Sequence, residues 1–151
     1  MVNLREKEII QILKELRERT NILCSTVFTE DGFIIAVEQA QIDEVDDDYH
    51  QSIGAICASI VSLAENGVEI FHSDKEIRQI SIQAGDQLDN EGFKIVLESI
   101  SDDTKLSVIF PTFLNLGVIL FEIKQTVQKF IKYFSRSLGQ NKDLASVSSL
   151  Q

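Results

Sequence analysis

Asp31-Gly32 separates two runs suited to strands, Cys24-Ser25-Thr26-Val27-Phe28 and Phe33-Ile34-Ile35-Ala36-Val37. Glycine accepts the positive φ of a tight turn, so Asp-Gly between β-rich runs predicts an antiparallel hairpin. A helical pattern precedes it. Over residues 4–19, Ile9, Ile12, Leu13 and Leu16 recur at helical spacing, while Arg5, Glu6, Glu8, Glu15, Arg17 and Glu18 fill the rest of the wheel.

A second helical pattern runs from about Asp47 to Gly67. Residues 76–84 then alternate Ile80, Ile82 and Ala84 with Gln79, Ser81 and Gln83, and residues 93–100 and 106–110 are two more strand-like runs. Gly85 to Gly92 and Ser101 to Thr104 supply the turns between them. Pro111 ends the fifth strand, since it cannot donate a ladder hydrogen bond. From Leu116 onward Leu120, Ile123, Val127, Phe130, Ile131 and Phe134 form one apolar stripe, with Lys124, Lys129, Lys132 and Arg136 outside it. The expected fold is α/β: a single-domain layered sandwich in the order helix-strand-strand-helix-strand-strand-strand-helix. Its central five-stranded, mostly antiparallel sheet carries helices on both faces. The domain is expected over 1–138, followed by a Ser-rich, flexible tail over 139–151.

The second helix carries the most information about partners. At 100° per residue, Ile53, Ile56, Cys57, Ile60, Val61, Leu63 and Ala64 share one arc, the one expected to pack on the sheet. The opposite arc holds Gln51, Gly54, Ala55, Ala58, Ser59, Ser62 and Asn66, with Glu65 as its only charge. Small uncharged residues allow close approach of two helix backbones, so this arc is expected to meet a second chain. The plain alternative is a bland wet surface. Gln79, Ser81 and Gln83 of the third strand lack the charge or proline that guards a free edge, and pairing with a copy of itself would cover that edge. A twofold dimer satisfies both features. The expected interface is therefore Gln51, Gly54, Ala55, Ala58, Ser59, Ser62, Gln79, Ser81 and Gln83.

Charge narrows the partners. The chain has 151 residues and a net charge of −10. Residues 20–74 hold eleven acids and no Lys or Arg, whereas the other 96 residues hold 14 basic and 13 acidic side chains. Such a surface repels phosphate backbones, so no nucleic-acid partner is expected. No unbroken apolar run approaches the ~18 residues of a membrane span, and the charged start is unlike a signal peptide. The expected location is the cytoplasm, in keeping with two cysteines, Cys24 and Cys57, that lack metal-ligand spacing.

Catalytic constellations are not evident. His50 and His72 have no local partner in a known motif, Cys24 and Cys57 lie in apolar stretches, and no phosphate-binding glycine loop, nucleophile elbow or zinc helix occurs. The run Asp43-Glu44-Val45-Asp46-Asp47-Asp48 fits a helix cap. As a calcium loop begun at Asp46 it would put Gln51 where glycine is needed and Cys57 where glutamate is needed. No enzyme, cofactor or metal is expected.

This pattern resembles the roadblock family, the dynein-light-chain-like domains related in shape to profilin and longin folds. The resemblance rests on the element order, the hairpin from Thr26 to Ala36, the Ala- and Ser-rich second helix, and Asn115-Leu116-Gly117-Val118 opening the last helix, and it covers residues 4–136. It implies homodimers or heterodimers joined through third strands and second helices. These serve as platforms for small Ras-like GTPases, as in bacterial gliding-motility regulators and lysosomal scaffolds, or as dynein adaptors. The expected function is thus a non-enzymatic dimeric scaffold that docks a small Ras-like GTPase on its paired second helices. Modulation of GTP hydrolysis and pairing with other roadblock proteins are left open. A small-ligand sensor of the PAS or GAF type, or a dynein-type adaptor, is the alternative; a sensor would need an internal cavity.

Overall fold

The computed structural model describes residues 4–40, 47–71, 74–86, 88 and 91–149, with the backbone alone for 4, 47–53 and 137–149. The elements are α1 (Leu4–Thr20), β1 (Cys24–Thr29), β2 (Ile34–Gln39), α2 (Asp47–Phe71), β3 (Gln79–Ala84), β4 (Phe93–Ser99), β5 (Thr104–Pro111) and α3 (Leu116–Ser149). The order is the expected one. All strand pairs are antiparallel in one sheet ordered β2-β1-β5-β4-β3, so β3 is an edge.

α1 and α3 cover one face of the sheet. Ile9, Leu13 and Leu16 from α1 and Ile119, Ile123, Val127 and Phe130 from α3 pack on Val27, Val96, Leu106, Val108 and Phe110. Ion pairs staple this layer at its rim: Arg17 to Glu38 at 2.7 Å, Lys129 to Glu15 at 3.2 Å and Arg19 to Glu122 at 3.7 Å. α1 stops at Asn21, whose φ of 59° and N–H bond to the Arg17 carbonyl close the last turn.

Among the described residues, α2 is the one helix on the opposite face. Its core is smaller, formed by Phe28, Cys57, Val61 and Leu97 with Ile60, Ile80 and Ile95 at the margin. Gly54 sets how α2 lies. A Cβ built there would stand 2.7 Å from the Gly32 carbonyl oxygen and 2.9 Å from Ile34 Cγ1, so helix and hairpin touch backbone to backbone. Gly32 itself has φ +87°, the turn conformation foreseen from Asp31-Gly32.

The boundaries differ from the sequence-based ones in two places. α2 continues past Gly67 to Phe71, and α3 runs through Gly139 to Ser149 where a frayed tail was expected. An interior glycine costs a helix about 1 kcal/mol against alanine, which weakens but does not stop it. The acidic stretch 43–46 and His72 lie outside the described residues.

Candidate interaction surface

The small-residue arc of α2 does not all face outward. Gly54 is buried on the hairpin, and Ala58 is half-buried with its Cβ 3.6 Å from the position a Gly32 Cβ would occupy. Ile56 and Leu63, expected against the sheet, are instead 59% and 71% exposed. The helix is turned about its axis because closest approach to the hairpin is available only on the side with little or no side chain. The bulkier residues are thereby displaced to its outer flank.

What faces outward is a stripe of Ile56, Leu63 and Ile70, the last 79% exposed, beside the exposed Ala55, Ser59, Ser62 and Asn66. Ser59 returns its hydroxyl to the Ala55 carbonyl at 2.9 Å, which satisfies that donor within the helix. The segment Gly54–Phe71 is long and apolar enough to cross a membrane by length and composition, although Glu65 and Glu69 keep it from being an unbroken apolar run. Gly54, Cys57 and Val61 are committed to hairpin and sheet, however, and Glu65 and Glu69 interrupt the segment. Its exposed large apolar side chains are this stripe and the terminal Phe71. Of the other predicted α2 positions, Ala55, Ser59 and Ser62 lie on the outer face, while the Gln51 side chain is outside the described residues.

Gln79, Ser81 and Gln83 are exposed on β3, which pairs with β4 on one side only. Nothing in Gln79–Ala84 carries charge.

A cleft of about 200 Å³ opens at the C-terminal half of α2. It gathers Glu30, Glu65, Glu69, Glu76 and Asp102 around Lys75 and Lys105. The Lys105 ammonium is buried and donates to Ser99 Oγ at 2.9 Å and the Ser101 carbonyl at 3.2 Å. Three of the acids belong to the lysine- and arginine-free segment seen in the sequence. Glu76 and Asp102 join only through the fold.

The cysteines are packing residues. Burial pushes the Cys57 thiol up, opposed by its contact with the Ser107 hydroxyl, and burial likewise raises Cys24. A raised thiol holds less thiolate and is a poorer nucleophile. The interior is filled by Phe28, Phe110 and Phe130, and the clefts at Lys105 and between α3 and the β3–β4 edge open to solvent.

Solved structures share this architecture. Myxococcus xanthus MglB superposes with a TM-score of 0.74 at 18% identity, over 90% of this chain and 94% of its own. The gliding protein MglB of Thermus thermophilus gives 0.72 at 11% identity, over 87% and 92%. A Roadblock/LC7 domain from Streptomyces avermitilis gives 0.69 at 16% identity, over 83% and 97%. No family sequence model matches the chain, and no curated protein matches it in sequence. The likeness is one of backbone arrangement across nearly the whole of both partners, and on that ground the chain has the roadblock fold.

Proposed function

We propose that the chain is a non-catalytic regulator or scaffold that pairs with a second copy and presents the pair as a platform for a small Ras-like GTPase. The pairing surface is the outer face of α2, with Ala55, Ile56, Ser59, Ser62 and Leu63, together with the β3 edge at Gln79, Ser81 and Gln83. One observation carries this reading: a helix already packed on its own sheet still exposes Ile56, Leu63 and Ile70 in line. Burying such a stripe favours association at roughly 25 cal/mol per Å² of apolar area removed from water, before the costs of association. A continuous sheet across two β3 strands would satisfy the free edge in the same contact.

GTPase docking rests on the resemblance and on charge. The acidic cleft at Glu30, Glu65 and Glu69 flanks α2 and favours a partner with a basic surface, with association that slows as salt rises. A cytoplasmic setting agrees with two free thiols.

The test is solution mass by sedimentation equilibrium, alone and with candidate small GTPases loaded with a GTP analogue. The reading expects a dimer that Leu63→Glu dissociates and a larger complex with one GTPase. A wild-type chain that stays monomeric at millimolar concentration overturns the pairing; a dimer that binds none of the GTPases overturns the platform. Single-turnover GTP hydrolysis with and without the chain separates a regulator from a passive scaffold.

A further inference from the structure

A second complementary pair of surfaces lies at opposite ends of the sheet. At one end is the hairpin tip, where Glu30, Asp31 and Phe33 are exposed, Phe33 by 71%. The tip is rigid. The Gly32 N–H donates to the Thr29 carbonyl at 2.9 Å, the Thr29 N–H donates to the Phe33 carbonyl at 2.9 Å, and the Glu30 N–H donates to the Asp103 carbonyl at 3.0 Å. The main chain that carries Phe33, Glu30 and Asp31 is thus fixed, and its ordering cost is already met before binding.

At the other end a groove of about 360 Å³ runs between β4 and the start of α3. Phe110, Phe113, Leu114 and Leu116 line it with Gln83, and Lys94 is its only charged side chain among the described residues. Phe113 is 64% exposed, and the first turn of α3 contains no acid to offset its positive end. The groove thus sets a cation, Lys94, among polar Gln83 and Thr112 beside the exposed ring of Phe113, as the tip sets two carboxylates near Phe33. Thr29 pairs with Thr104 at the tip end of β5, while Phe93 pairs with Pro111 at the groove end, so the length of the sheet separates the two. One molecule cannot join its own surfaces.

We propose that the chain associates head to tail with further copies of itself, the hairpin tip of one copy seating Phe33 in the groove of the next while Asp31 and Glu30 approach Lys94. The contact is heterologous, since different surfaces meet, and it extends a twofold pair into longer assemblies or a closed ring. It does not depend on the pairing through α2.

Sedimentation velocity on the full chain, from micromolar to millimolar at low and high salt, tests this. The expected result is species beyond the dimer that grow with concentration and shrink with salt. Phe33→Ser and Lys94→Glu each remove them while the circular dichroism spectrum stays unchanged. Mixing the two variants restores larger species in which they alternate, because each pair of one keeps two grooves and each pair of the other two tips. In Leu63→Glu the head-to-tail species persist although the α2 contact is lost, so failure of either reading is seen separately. A wild type that never exceeds the dimer, or large species undiminished in both variants, overturns the proposal. So does a wild type that does not self-associate but shows shifts of the Lys94 resonances with an added Asp- and Phe-containing peptide, which would give the groove to another protein.

Discussion

Gly54 of α2 lies against the Gly32 carbonyl oxygen so closely that a Cβ would stand 2.7 Å from it. This backbone contact orients the helix, and the orientation decides which side chains remain outside.

Enlarging Gly54 is therefore a core mutation although the residue is the smallest available. Gly54→Val must push α2 off the hairpin and should cost about 1–3 kcal/mol, as overpacking does elsewhere. Urea unfolding reads this as a lower midpoint at unchanged slope. Ala58→Arg, which on the wheel alone would only disturb an interface, should destabilise the fold as well, because Ala58 is half-buried beside Gly32.

Leu63→Glu should behave in the opposite way. The side chain is exposed in the isolated chain, so stability of the protomer should change by no more than about 0.5 kcal/mol. Mass by sedimentation should fall to that of a monomer. A variant of parental mass and parental stability would show that the stripe is not a contact.

Cys57 should resist alkylation in the folded protein. Burial raises its thiol pKa and shields the sulfur, so at mildly alkaline pH its reaction with iodoacetamide should require opening of α2. Mass spectrometry across a urea series should find Cys57 labelling rising along the unfolding curve. Fast labelling without denaturant would contradict the packing described for α2.

Glu98 offers a pH test. Partial burial raises its carboxyl pKa, with Lys124 pulling the other way. A carboxyl raised in the folded state contributes most to stability when protonated, and that contribution fades as pH climbs from the ordinary carboxylate range through the folded value. Glu98→Gln should therefore gain on the wild type as pH rises through that window and hold a level advantage above it. The gain is small because the side chain is half-exposed. Thermal unfolding of both forms between acid and neutral pH checks the sign.

The order of elements was legible because each has its own periodicity. Ile9, Leu13 and Leu16 declare a helix at 3.6 residues per turn, Ile80 and Ile82 a strand at 2, and Asp31-Gly32 a hairpin. The edge position of Gln79, Ser81 and Gln83 was readable for a similar reason, since an uncharged polar row beside Ile80 and Ile82 is a property of the strand alone. The facing of α2 was not legible. A wheel places the greasiest arc toward the sheet, but Ile56 and Leu63 find no sheet beneath them once Gly54 has drawn the helix onto the hairpin.

From the sequence alone came local conformation, the number of layers and the segregation of acids into residues 20–74, because these depend on neighbours along the chain. Tertiary structure decided which flank of α2 is left without a partner, and it brought Glu76 and Asp102 to the acids of α2 and Lys94 to Phe113. Those outcomes depend on how closely two backbones can approach, and a steric contact such as that between Gly32 and Gly54 exists only once distant segments have met.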